Sequence, residues 1–258
     1  MKRQDLFITS KLPFPFQRKE YVERALRKTL SDLRIDYIDL YLIHWPVSFY
    51  PVEDALDTTR RGYVDESIKD SDGGRNIDPT VSVHETWEAM ESLVDKGLVR
   101  QIGISNFPVA LLHEVMSKCR IPPAVNQVEL HPYLQQTKLL NYCKKRGMHV
   151  QAYSPLGTPG NKEAGEPLLL EDPVLRKIAQ KRNVTVAQVC LAWALQRGTS
   201  VVAKSASVER QQENLMAGQE GFLTLTEEEM ATIASLDRGY RFLRPEDWWP
   251  EMGMAVFA

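Results

Sequence analysis

Short apolar runs alternate with amphipathic stretches along most of the chain, and this alternation constrains the fold more than any other feature. Six runs are typical of strands: Leu6–Lys11, Tyr37–Ile43, Arg100–Ser105, Ala124–Glu129, His149–Ser154 and Ser200–Lys204. Several of them are almost continuously apolar, as expected for strands that are covered on both faces. Strands that alternate with helices predict a parallel α/β fold.

The segments between these runs carry helix signals. Apolar residues recur every three or four positions in 18–33, which predicts a helix with one buried stripe. Val81–Lys96 is followed by Gly97, a residue typical of helix ends. Asp172 before Pro173 predicts an N-cap followed by proline at the first helical position. Two pairs also match the capping box: Thr185 with Gln188, and Thr226 with Glu229.

Two parallel folds compete, an open doubly wound sheet and a closed barrel. A doubly wound sheet that binds dinucleotides should carry G-x-G-x-x-G after its first strand, and this spacing of glycines does not occur. Instead, residues able to do proton chemistry end different strands, with Lys11 on the first run and His44 after the second. Chemistry placed at the ends of several strands is characteristic of a TIM barrel. We therefore predict the barrel.

Composition argues against several classes of function. A formal net charge of −2 over 258 residues gives no electrostatic reason to expect nucleic acid or an anionic membrane as a partner. No run approaches the roughly 18 apolar residues that span a bilayer. Cys119, Cys143 and Cys190 are far apart and lack CxxC spacing, which is typical of a reduced cytoplasmic protein without bound metal.

Five motifs follow one another along the chain. They are Leu42-Ile43-His44-Trp45-Pro46, Gly103-Ile104-Ser105-Asn106-Phe107, the stretch 125–133 (VNQVELHPY), the stretch 152–157 (AYSPLG) and the stretch 204–214 (KSASVERQQEN). In this order they resemble the aldo-keto reductase family, NAD(P)H-dependent carbonyl reductases such as the aldose and xylose reductases, built on a (β/α)8 TIM barrel. The resemblance covers nearly the whole chain.

The resemblance implies roles at the reacting end of a site. His44 would orient the carbonyl oxygen, Trp45 would wall the substrate pocket, and Lys11 would lower the pKa of a neighbouring proton donor. Trp248 and Trp249, in the C-terminal tail, could complete the pocket. Taken alone, His44 is equally compatible with a core histidine, Lys11 with a surface lysine, and the two tryptophans with packing on the barrel rim.

The resemblance also implies a nicotinamide site. The short polar side chains of Ser105, Asn106 and Gln127 end strands and suit hydrogen bonds to the carboxamide, with loop capping as the alternative. Tyr153 offers a flat ring for stacking on nicotinamide. The adjoining Ser154, Pro155 and Leu156 belong to the same cofactor segment.

The stretch 204–214 is expected to bind the other end of the cofactor. Its polar residues Lys204, Ser205, Ser207 and Arg210 precede a helix, where cations and free backbone N–H groups suit a phosphate. In the family this segment holds the adenosine 2′-phosphate, with Glu213 and Asn214 at the adenine. Lys204 together with Arg210 favours NADPH over NADH, and a solvated basic helix start is the alternative.

One part of the family pattern is not found. In the family the lysine strand is the third of eight, and the proton-donating tyrosine and the aspartate that pairs with the lysine lie on the two strand–helix units before it. Lys11 lies on the first run here. We therefore expect an N-terminally shortened barrel that lacks the first two strand–helix units, with six parallel strands in a single incomplete domain over 1–258. Tyr41 is mid-strand, so we predict core packing for it.

Two segments are predicted to shape substrate access. Residues 46–80 are polar and rich in turn residues, and they directly follow His44 and Trp45; they predict a lid, with disorder as the alternative. Residues 240–258 predict a C-terminal substrate loop.

Two functions follow from these features. The first is NADPH-dependent reduction of an aldehyde or ketone, impaired by the absent tyrosine and aspartate. The second is a non-catalytic dinucleotide-binding or partner-subunit derivative. We expect a cytoplasmic monomer that acts on a small carbonyl compound, and open barrel edges would permit association.

Overall fold

The computed structural model describes residues 2–51, 77–160, 165–245 and 256–257. Within them lie six strands: β1 (Thr9–Leu12), β2 (Ile38–Ile43), β3 (Val99–Ser105), β4 (Val125–Glu129), β5 (His149–Tyr153) and β6 (Ser200–Val202). The same residues include eight α-helices: α1 (Lys19–Leu33), α2 (Val83–Asp95), α3 (Val109–Lys118), α4 (Thr137–Lys145), α5 (Pro173–Arg182), α6 (Val186–Gln196), α7 (Val208–Ala217) and α8 (Glu227–Ala234). Short 3₁₀ helices occupy Arg3–Asp5, Phe14–Phe16 and Leu169–Glu171.

The strands are hydrogen-bonded in chain order, from β1 to β6. Strand β2 pairs in parallel with β1 and with β3, and β5 pairs in parallel with β6. All six residues of β2 are buried, as expected for a strand covered on both faces. The α/β fold with six parallel strands is therefore confirmed, whereas the two missing strand–helix units of the barrel stay a prediction.

Strand boundaries differ from the prediction by one to three residues at seven of the twelve strand ends. Strand β1 begins at Thr9, after the 3₁₀ turn at Arg3–Asp5, and Leu6 and Phe7 before it are 41% and 67% exposed. Ser154 lies beyond β5 because its backbone is left-handed, with φ of 48°. Strand β6 stops at Val202, two residues before the predicted end at Lys204. Apolar runs locate strands, but they do not specify where the ladder of hydrogen bonds stops.

The predicted helix caps are confirmed. The Asp172 side chain accepts hydrogen bonds from the backbone N–H groups of Val174 and Leu175 at the start of α5. Capping boxes are present at the starts of α6 and α8, at Thr185 and Thr226. These caps satisfy backbone donors that the first helical turn leaves without partners.

The chain divides into two compact units. Unit 1 consists of Met1–Asn126 and Arg244–Ala258, and unit 2 of Gln127–Leu243. Unit 1 carries β1 to β3, and unit 2 carries β5 and β6. The single-domain assignment stays a prediction.

Candidate active site

In unit 1, Lys11 and His44 lie at the ends of neighbouring parallel strands. Lys11 is opposite Leu42 in the β1–β2 register, and His44 directly follows β2. Burial, with the positive charge of Lys11 adding to it, lowers the pKa of His44 from 6.5 to about 4. Burial also lowers the pKa of Lys11. The imidazole is therefore neutral near pH 7 and can donate one N–H to an oxygen.

The end of β3 brings two more predicted residues to His44. Ser105 and Asn106 are almost completely buried. The Asn106 side chain donates a hydrogen bond to the main-chain oxygen of His44 at 3.0 Å and to the Ser105 hydroxyl at 3.2 Å. Its backbone is left-handed, with φ of 66°, a conformation that asparagine tolerates better than most residues. The structure thus places His44, Ser105 and Asn106 together.

Trp45 lies in an aromatic cluster. Its ring stacks on Phe14, with centroids 6.1 Å apart and planes 14° apart, and Phe14 in turn stacks on Phe49 at 4.7 Å. Phe257 lies 5.9 Å from Trp45 and closes the cluster with residues of the C-terminal end. Sequence reasoning did not single out these three phenylalanines. The Phe14-Pro15-Phe16 run after the lysine strand was the available signal.

The predicted C-terminal pocket residues Trp248 and Trp249 lie outside the described residues. So does most of the predicted lid, at 52–76. The two ends of that segment are held side by side, because Phe49 pairs with Ile77 in an antiparallel bridge and the Asp78 N–H donates to the Ser48 oxygen at 2.8 Å. This paired stem joins directly onto the aromatic cluster.

In unit 2, the nicotinamide-binding candidates lie along two strands. Gln127 on β4 is buried and donates a side-chain hydrogen bond to Gln151 of β5. Tyr153 ends β5, and burial raises its pKa, so that the phenol stays protonated.

Ser154, Pro155 and Leu156 form a tight turn after β5. The turn closes through a 3.0 Å hydrogen bond from the Gly157 N–H to the Ser154 oxygen. Gly157 has a φ of 70°, and a Cβ there would lie 3.2 Å from the Phe242 ring, so a side chain would both strain the backbone and crowd that ring.

The stretch 204–214 forms a capped helix start with two exposed cations. The Ser207 side chain caps α7 by accepting a hydrogen bond from the Arg210 N–H, and the Ser207 N–H donates to the Ser205 hydroxyl at 3.1 Å. Lys204 and Arg210 are exposed, and neither forms a salt bridge with another residue of the described ranges. The two cations fit a phosphate group, whereas the Ser207 hydroxyl donates its hydrogen bond to Glu209 at 2.6 Å.

The second half of this stretch faces an open groove. Glu213 lines the groove together with the turn between α5 and α6. The volume of the groove is about 830 Å³. The Glu213 main-chain oxygen accepts a hydrogen bond from Gln188 at 3.1 Å, which fixes the helix beside the groove. Asn214 is half-buried on the same helix.

A buried hydrogen-bonded pair in the third motif was not anticipated. Glu129 and His131 are fully buried, and their side chains lie 2.9 Å apart. Glu129 also accepts hydrogen bonds from the N–H groups of Phe242 and Leu243, at 2.7 and 3.2 Å. The Glu129 side chain therefore links the start of the predicted tail, 240–258, to the end of β4 by hydrogen bonds. The place of Glu129 and His131 within the third motif, 125–133, was the available signal.

The parts of the chain that the structure describes contain neither a membrane-spanning helix nor a metal site. No helix there is long and apolar enough to cross a membrane. No group of three or more His, Cys, Asp or Glu side chains in those parts is placed to hold a metal ion.

Comparison with known proteins identifies the family of this chain. The model of the aldo/keto reductase family matches residues 1–238. An aldo/keto reductase of Synechocystis sp. is 45% identical over 96% of this chain and 72% of its own length. Aldo-keto reductase family 1 member A1 of Gallus gallus is 43% identical over 95% of this chain and 71% of its own length.

A third relative carries a cofactor in its name. An NADPH-dependent D-xylose reductase of Meyerozyma guilliermondii is 40% identical over 95% of this chain and 77% of its own length. The family match and these identities, together with Lys11 and His44 at neighbouring strand ends, lead to one conclusion. This chain belongs to the aldo/keto reductase family.

Proposed function

We propose that this chain binds NADPH and a small aldehyde or ketone, and that the reaction of its site is reduction of the carbonyl group to an alcohol. The observation that carries this proposal is the half-buried, neutral His44 beside the cation of Lys11. When bound, the cofactor would supply the hydride for the carbonyl carbon, and water would supply the proton for the oxygen in the absence of a positioned acid.

The chain's own residues orient and polarise the substrate. The neutral His44 donates a hydrogen bond to the carbonyl oxygen, where negative charge develops during reduction. The Lys11 ammonium lies close enough to lower the pKa of His44, so its positive charge also stabilises that oxygen. Trp45, held by Phe14, walls the apolar side of the pocket.

Residues at the start of α7 would select the cofactor. Lys204 and Arg210 would pair with the 2′-phosphate of NADPH, with the Ser205 and Ser207 hydroxyls beside them. Glu213 and Asn214 would contact the adenine near the groove that Glu213 lines. NADPH use by the related xylose reductase of Meyerozyma guilliermondii supports this choice.

The nicotinamide end would be held by the strand ends. Ser105 and Asn106 are the unit 1 candidates for hydrogen bonds to the carboxamide. In unit 2, Gln127 is a candidate for the same role and Tyr153 for stacking on the ring. The turn Ser154-Pro155-Leu156 would cover the adjoining part of the cofactor. The segment 46–80 would act as a lid and 240–258 as the substrate loop.

We propose further that residues 1–258 alone are a slow catalyst. The family's tyrosine and aspartate have no counterpart among these residues, and a positioned general acid contributes roughly 10²–10⁴ in rate. Tyr41 does not replace the tyrosine, because it is fully buried and burial raises its pKa. The second candidate function is therefore a non-catalytic dinucleotide-binding or partner-subunit derivative acting in the cytoplasm as a monomer, or associating through open sheet edges.

NADPH fluorescence titration and turnover of benzaldehyde, measured on the same preparation, test the proposal. We expect NADPH to bind and turnover to be slow, and His44→Ala should reduce any turnover further without changing NADPH affinity. Turnover at the rate of a typical family enzyme would exclude the non-catalytic reading. Absence of NADPH binding by a folded chain would exclude the reductase and the dinucleotide-binding derivative, and would leave the partner subunit.

A further inference from the structure

The segment that carries His44 and Trp45 lies beyond the end of β2, where the strand ladder no longer holds its carbonyl groups. Buried side-chain amides hold them instead. Asn106 donates to the His44 oxygen at 3.0 Å. Gln17 donates from its single amide nitrogen to the oxygens of Trp45 and Val47, both at 2.9 Å. Three carbonyl groups in four residues thus depend on two amide side chains.

Gln17 is itself fixed in place. It is 5% exposed and lies between the 3₁₀ turn Phe14–Phe16 and the start of α1. Its main-chain oxygen accepts a 2.7 Å hydrogen bond from the hydroxyl of Thr86, a fully buried residue of α2. Because both amide N–H groups are bonded in a buried place, moving this side chain would leave polar atoms without partners, which is costly.

The same short segment also fixes the Trp45 side chain. Phe14, three residues before Gln17, stacks on the Trp45 ring at 6.1 Å. It lies 5.9 Å from the His44 ring as well. The turn after β1 therefore controls Trp45 twice, through its carbonyl by Gln17 and through its indole by Phe14.

We propose that Gln17 is a positioning residue that sets the conformation of the segment His44–Val47, and through it the placement of the pocket wall at Trp45. The functional meaning rests on the proposed roles of His44 and Trp45. Gln17 itself need not touch substrate or cofactor, since it acts through the main chain of residues that do.

The experiment uses ¹⁹F NMR of the full chain labelled with 5-fluorotryptophan. Resonances of Trp45 and Trp193 are assigned from the Trp45→Phe and Trp193→Phe variants. Gln17→Leu keeps a side chain of similar size and removes both donated hydrogen bonds. Gln135→Leu is the matched control, because Gln135 is 4% exposed and its amide donates to the oxygens of Pro132 and Ile233 within unit 2.

We expect both variants to lower the melting temperature, but only Gln17→Leu to shift or split the Trp45 resonance by more than its linewidth. The Trp193 resonance should not move in Gln17→Leu. An unchanged Trp45 resonance in Gln17→Leu, or an equal displacement in Gln135→Leu, would overturn the inference, since Gln17 would then serve stability only.

Gln17→Asn covers the case in which Gln17→Leu does not fold. It keeps a buried amide but shortens its reach by one methylene, so it cannot bond both carbonyl groups as Gln17 does. We expect a displaced Trp45 resonance in the folded variant; an unchanged one counts against the proposal. These spectra need no ligand. A separate titration of the wild type with benzaldehyde and NADP⁺ tests the pocket role of Trp45, so the two failures are distinguishable.

Discussion

The reacting-end residues of unit 1 and the phosphate-binding candidates of unit 2 acquire their properties in opposite ways. His44 and Lys11 are partly buried, and burial is the first cause of both lowered pKa values. Lys204 and Arg210 are exposed cations at a helix start. The first group depends on how the chain packs, whereas the second depends on charge. The two groups should therefore respond differently to substitutions in the packed residues, to pH and to salt.

The largest effect should come from Phe14→Ala. It removes a buried ring that stacks on Trp45 and Phe49, and such truncations cost about 3–5 kcal/mol. Urea unfolding measures the loss. Lys204→Ala is the control from the charged region, and it should leave the free energy of unfolding nearly unchanged. A similar loss in both variants would remove the distinction between the regions.

Acidification should act on the reacting end through His44. His44 has a folded pKa of about 4 against an ordinary 6.5, so between these values the unfolded chain binds more protons. The contribution of His44 to the free energy of unfolding is fully present above pH 6.5. It is lost as the pH falls towards 4, and the loss amounts to up to about 3 kcal/mol. Comparing the wild type with His44→Gln isolates this term. Parallel stability curves for the two proteins across that range would contradict it.

Removing the two exposed cations should weaken NADPH binding without altering stability. We expect Lys204→Ala combined with Arg210→Ala to raise the Kd by about tenfold to a hundredfold, since exposed charge-assisted hydrogen bonds are screened by solvent. The effect should shrink at high salt. Lys177→Ala, an exposed lysine of α5, is the control and should bind NADPH as the wild type does. Equal affinities for all three proteins would argue against phosphate binding at α7.

The smallest effect concerns the charge of Lys11. The charge of Lys11 is the second cause of the lowered His44 pKa, so Lys11→Met should raise the His44 pKa part of the way towards 6.5. Burial should keep that pKa below 6.5. An NMR titration of the imidazole measures the change. Lys145→Met replaces an exposed lysine of α4 and should leave the His44 pKa as in the wild type. A His44 pKa that falls or stays constant in Lys11→Met would exclude the proposed proximity.

Local patterns were enough to predict much of the fold. Capping signals such as Thr185 with Gln188 depend on residues three apart, so they can be found in the sequence, and they are present in the structure. The contact of Gln17 with Trp45 joins residues 28 positions apart, and Phe257 reaches Trp45 from the other end of the chain. Such pairs depend on tertiary packing, which no local pattern records. The same holds for Glu129, whose partners at 242 and 243 are more than 100 positions away.

Selection of NADPH by Lys204 and Arg210 is tested most directly by isothermal titration of the same chain with NADPH and with NADH. We expect NADPH to bind more tightly by about tenfold or more, and we expect the preference to disappear when Lys204 and Arg210 are both replaced by alanine. Equal affinity for the two cofactors in the wild type, or a preference that survives the double substitution, would contradict it.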